Sequence, residues 1–76
     1  MKLHEYNGKK YIPSKRPIDK AKAGDICFAP KESSGMEEDK YFEVLKNDLS
    51  LSKFNLIATD GNRYSWSYAI ILEPIT

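Results

Sequence analysis

Two dipeptides, Asn7-Gly8 and Asp60-Gly61, constrain the fold of this chain most. Each stands between short runs of alternating polar and apolar residues. Both tolerate the left-handed backbone of a two-residue turn, so each marks a β-hairpin. The first predicts arms over Lys2–Tyr6 and Lys9–Ile12. The second predicts arms over Phe54–Thr59 and Arg63–Trp66. Nowhere does an apolar i, i+3, i+4, i+7 pattern persist for three turns, so no long helix is expected.

The remaining segments extend this pattern. Pro13 and Pro17 bracket an irregular stretch, because proline cannot donate within a central strand. Ala23-Gly24-Asp25 is a turn that feeds a short apolar strand, Ile26–Ala29, which Pro30 ends. Residues 30–39 hold Ser33-Ser34-Gly35 and Glu37-Glu38-Asp39, and they read as a long exposed loop. The acidic trio lacks the spacing of a calcium loop. Lys40–Lys46 alternates, with Phe42 and Val44 on one face and Tyr41, Glu43 and Leu45 on the other. A short helix is the alternative there, but Tyr-Phe-Glu-Val favours a strand. Asn47–Lys53 is turn-like, with Leu49 and Leu51 able to tuck inward. Phe54, Leu56 and Ala58 share a face, as do Tyr64 and Trp66. Ser67–Ala69 suits one tight helical turn, Ile70–Leu72 a last strand, and Pro74 closes the domain.

Short strands joined by turns predict an all-β domain. The order is a strand, a long loop, two strands, a tight hairpin, one helical turn and a final strand. That is the plan of a small SH3-like antiparallel barrel. The 76 residues have room for one domain. It would comprise an added N-terminal hairpin over residues 1–13 and a barrel over 23–74. Phe28, Phe42, Val44, Leu56, Trp66, Ile70 and Leu72 are the expected core.

Charge is unevenly spread. Residues 1–22 hold seven basic and two acidic groups, a balance of +5, and residues 23–76 hold five and nine, a balance of −4; the sum is the net +1. The simplest reading is that the two parts lie side by side and attract. No apolar run approaches the length of a membrane span, and the first residues do not read as a signal peptide. One cysteine cannot form an internal disulfide. These features are those of a cytosolic chain with no membrane partner.

Nothing in the sequence assembles into a catalytic set. Cys27 sits in an apolar strand, where cysteine behaves as a small hydrophobe. His4 reads as a hairpin surface residue. A phosphate loop, a nucleophile elbow and metal-ligand spacing are all lacking. The expectation is therefore a non-enzyme with no cofactor and no metal.

Binding is what remains. Tyr41, Tyr64, Trp66 and Tyr68 form the most informative set, because Trp and Tyr anchor interfaces. With Glu37, Glu38 and Asp39 they would make a protein-binding groove between the long loop and the one-turn helix. Trp66 and Tyr64 read equally as core residues. The alternative is nucleic-acid binding through Lys9, Lys10, Lys15, Arg16, Lys20 and Lys22. A structural or virion-assembly role is a third reading, and self-association is left open.

The frame Glu5-Tyr6-Asn7-Gly8-Lys9-Lys10-Tyr11, then Lys20-Ala21-Lys22-Ala23-Gly24-Asp25, then Tyr68 through Leu72-Glu73-Pro74, carries a resemblance. It resembles small uncharacterised proteins of phages and prophages of low-GC Gram-positive bacteria. The resemblance implies an SH3-like barrel of phage or prophage origin. Taken with the aromatic set and the lack of a catalytic set, it leads to the expectation of a module in the bacterial cytoplasm that binds and modulates or inhibits a host protein, such as a defence or replication factor. It supplies no catalytic residues. Residues 30–39 depart from that pattern, which often has a second Gly-Asp turn there.

Overall fold

The structure, a computed structural model, describes residues 3–75. Seven antiparallel strands form one curled, half-barrel sheet: β1 (His4–Tyr6), β2 (Lys9–Pro13), β3 (Ile26–Ala29), β4 (Lys40–Asn47), β5 (Leu56–Ala58), β6 (Arg63–Tyr64) and β7 (Ile70–Pro74). Their spatial order is β1-β2-β7-β3-β4-β5-β6. Within it, β7-β3-β4-β5-β6 is the SH3-like part, whose elements follow along the chain in the order expected from the turns. The N-terminal hairpin is added to the free edge of β7, pairing Tyr11 with Pro74 and Pro13 with Leu72. Lys2, the start of the expected first arm, lies outside the described residues.

Both hairpins form, by different routes. Asn7 and Gly8 have φ 53° and 75°, so both central residues are left-handed, as a two-residue turn requires. At the second hairpin the Gly61 N–H donates to the Ala58 carbonyl (3.1 Å), and only Gly61, not Asp60, takes positive φ (90°). The turn therefore spans Thr59 and Asp60, with Gly61 as the left-handed residue that follows. Gly61→Val should cost at least about 1 kcal/mol, because a β-branched residue resists that backbone. A urea midpoint equal to the parent's would contradict this turn geometry.

Two apolar clusters lie on opposite faces of the sheet. Cys27, Phe42, Val44, Leu56, Tyr64 and Ile71 lead the larger one, on the concave side. Tyr11, Phe28 and Leu72 form the smaller, under the hairpin on the convex side. Alternation along β3 and β7 sends successive residues to different clusters. Of the expected core, Phe28, Phe42, Val44, Leu56 and Leu72 are buried. Ile70 is not: it shares the face of Leu72 but lies 39% exposed, and Ile71 fills the main core instead. His4 is also a correction, since it is 3% exposed and packs on Phe28 at 4.6 Å between ring centroids. Cross-strand pairing with Tyr11 turns it towards the sheet.

Other differences are local. Pro17 leads into an unanticipated 3-10 turn, Ile18–Lys20. The 30–39 loop contains one helical turn, α1 (Lys31–Ser34), whose first N–H donates to the Asp39 carboxylate at 2.8 Å. β6 ends at Tyr64, so Trp66 belongs to the following turn. Phe54 precedes β5 with φ 54° and lies outside, away from Leu56 and Ala58. The two charge blocks meet through one ion pair among the described residues, Arg16–Asp25 at 2.6 Å.

Burial pushes the Cys27 thiol from an ordinary 9.0 up to about 12. The folded state thus favours the neutral thiol. The associated stabilisation is complete below 9.0 and is lost as pH rises from there towards about 12. A thiol-labelling reagent is expected to react only after unfolding. Between those pH values the parent should lose more stability than Cys27→Ala. Equal losses would mean that the thiol ionises freely in the fold.

Candidate functional site

The concave side of the half-barrel is only partly covered. Ile18, Met36, Trp66 and Tyr68 lie half-buried along it, packed against the main cluster. They come from the 3-10 turn, the 30–39 loop and the turn between β6 and β7. That last turn closes through N–H groups of Tyr68 and Ala69 donating to the Ser65 carbonyl (3.4 and 3.2 Å). The Ser67 N–H also donates to the Ser65 hydroxyl at 3.2 Å.

Trp66 is held at one edge. Its indole N–H donates to Asn47 Oδ1 at 3.1 Å. The Asn47 amide in turn donates to the carbonyls of Ala21 (2.9 Å) and Asp19 (3.1 Å). One side chain thus ties Trp66 to the 3-10 turn. Asn47 reaches it because β4 carries a bulge between Val44 and Lys46. Strict alternation would point Asn47 outward with Leu45, but the extra residue re-aims it inward. Sequence reasoning assigned Asn47 to a turn and gave it no role, and no local signal marks the bulge.

The expected site residues separate into groups. Trp66 and Tyr68 both stay on the concave rim, where Met36 also packs half-buried against the main cluster. Tyr64 lies beneath it, 2% exposed and stacked on Phe42 with centroids 3.9 Å apart and planes 3° from parallel. It is a core residue, because β6 points it inward beside Leu56. Burial, then the nearby Asp60 carboxylate, holds its phenol above the ordinary value. Tyr41 faces the other way from Phe42 and belongs to the convex cluster. Its hydroxyl is hydrogen-bonded to His4 Nδ1 at 2.9 Å, and its ring lies 4.8 Å from that of Phe28. Tyr41 and Tyr68 therefore do not share a groove.

The acidic residues differ too. Asp39 caps α1, Glu38 pairs with Lys40 at 2.8 Å, and Glu37 stands exposed beside Met36 in sequence. Among the basic candidates, Arg16 is engaged by Asp25. Lys9 and Lys10 border an open depression of about 560 Å³, with Gly8, Pro74 and Ile75. Lys15, Lys20 and Lys22 are exposed along the segment that follows the hairpin. Among the described residues, no three His, Cys, Asp or Glu side chains converge as a metal site. No described helix is long and apolar enough to cross a membrane. Cys27 and His4 lie in different clusters, on opposite faces of β3, and cannot act as a pair.

Fold and rim together define a small SH3-like half-barrel with a half-buried Trp-Tyr-Met edge. No protein-family model, curated protein or solved structure matches the chain.

Proposed function

We propose that this chain is a protein-interaction module that acts by covering part of a partner's surface. Trp66, Tyr68 and Met36 make the contact, and Glu37 and Glu38 form a charged rim. The resemblance of its hairpin and turns to phage and prophage proteins supports a partner in a bacterial host, such as a defence or replication factor. The observation that carries this reading is the Trp66 ring, half exposed and fixed by Asn47. A ring already held in place loses little entropy on binding. Acidic rim groups favour a basic partner, chiefly through the association rate.

The test starts with capture from host lysate, with and without nuclease, followed by variants against the captured protein. Tyr68→Ala should weaken binding by roughly 30-fold while the melting profile stays cooperative. Glu38→Lys should mainly slow association, with an effect that fades in salt. If both leave affinity untouched while Lys9→Glu abolishes it, the basic hairpin is the working surface instead.

A further inference from the structure

His4 is the chain's one histidine, and it sits where the N-terminal hairpin meets the rest of the sheet. In the sheet order β2 and β7 stand between β1 and β3, so strand pairing does not bring β1 to β3 or β4. Side chains do. The His4 ring packs on Phe28 of β3 with centroids 4.6 Å apart, and it meets Tyr41 of β4 edge-on at 5.7 Å. Its Nδ1 is hydrogen-bonded to the Tyr41 hydroxyl at 2.9 Å. Tyr6, on the same face of β1, reaches the Tyr41 ring at 6.0 Å. Only 3% of His4 is exposed.

A proton taken up by this ring puts a charge away from water, which is costly. The Tyr41 hydroxyl can turn to accept from an imidazolium, but it is neutral and does not balance the charge. Tyr11, opposite His4 on β2, is buried and also uncharged. β3 and β7 bring Phe28 and Leu72, which do not titrate. From β4, Glu43 shares the face of Tyr41 and is exposed. Burial, then the nearby Asp39 carboxylate, holds the Tyr41 phenol above its ordinary value. Asp39 is itself exposed and accepts from the Lys31 N–H. Lys9, opposite Tyr6 at the hairpin tip, is exposed and of the other sign. Glu5 and Lys10 alternate to the other face of the hairpin. Lys2 lies outside the described residues. Solvent screens the exposed groups, so burial of the ring decides the balance.

We propose that the N-terminal hairpin is held by an acid-released clasp: a proton taken up by His4 loosens β1 and its turn from Phe28 and Tyr41, while β3–β6 stay folded. Above about pH 6.5, the ordinary histidine value, the ring is neutral whether the hairpin is docked or released. Docking is then at full strength. Below that pH the released form takes up the proton more readily than the docked one, so docking weakens as pH falls. Trp66 belongs to the other cluster, and its emission reports whether the rest of the fold is intact.

The test is amide hydrogen exchange of the full chain at pH 7.5 and 5.5, corrected for the intrinsic rates, with the His4 ring titrated by NMR. If the docked ring stays neutral, protection over residues 4–12 should fall about tenfold between the two pH values. Protection in β4 and β5 and the Trp66 emission should hold. His4→Phe keeps a ring against Phe28, and His4→Gln keeps a polar group near Tyr41; neither titrates. In whichever of them folds, the pH dependence of the hairpin should vanish. The ring in the parent should titrate well below about 6.5. A ring that titrates at or above that value would overturn the proposal. So would equal hairpin protection at both pH values, or a pH dependence that survives in the variants. Loss of protection spread evenly over β3–β6 would overturn it as well, because the proton would then unfold the whole domain rather than release the hairpin.

Discussion

Phe42→Ala is expected to cost about 3–5 kcal/mol and to leave much of the protein unfolded at ambient temperature. Phe42 is among the largest fully buried side chains and lies at the centre of the concave cluster. Its ring stacks flat on Tyr64, so truncation removes contacts from both residues. A domain of 76 residues is held by only about 4–11 kcal/mol at the usual stability per residue. It also buries proportionally less surface than a larger one, which leaves little reserve. Urea denaturation followed by far-UV circular dichroism is the measurement. Phe42→Leu, which keeps most of the volume, should fall between the parent and Ala. A Phe42→Ala midpoint close to the parent's would show that the ring is not at the core's centre.

Asn47→Leu is expected to cost about 2 kcal/mol and to release Trp66. Leucine has similar bulk but neither donates to Asp19 and Ala21 nor accepts from the indole. The Trp66 N–H and the Ala21 carbonyl then lose their partners in a half-buried place. Trp66 is the only tryptophan, so its fluorescence reports the change directly. Emission should shift to the red and anisotropy should fall. Asn47→Asp separates the two roles, because it keeps an acceptor for the indole but loses the amide donors. It should restore the emission of Trp66 without restoring full stability. Unchanged emission in Asn47→Leu would mean that packing alone fixes the ring.

What the sequence disclosed follows the range of the interactions involved. The hairpins at Asn7-Gly8 and Asp60-Gly61 depend on two or three adjacent residues, and both form. Alternation along β4 was legible from Tyr41 to Val44, and the order of strands followed from the turns. The β4 bulge was hidden, because it is decided by pairing with β5 and by partners of Asn47 more than twenty residues away. The burial of His4 was hidden for a related reason. It requires the hairpin to dock on β7, which brings the ring onto Phe28. Ile70 and Ile71 are chemically identical neighbours, so only register assigns one to the core. The aromatic set was visible as a composition but not as an arrangement. Tyr41 and Tyr64 are drawn off to the two clusters, and Trp66 and Tyr68 remain at the rim.

The position of β7 bears on how the chain assembles. It is the last strand in sequence, yet it lies between β2 and β3 in the sheet. During synthesis the hairpin and the β3–β6 portion emerge first, with no direct strand pairing between them. Each then presents an unsatisfied edge, and Phe28 lacks the cover of Leu72. Residues 70–74 join both edges in one step. The sheet is therefore completed from its middle, and a nascent chain halted before β7 exposes two edges on which other strands can add.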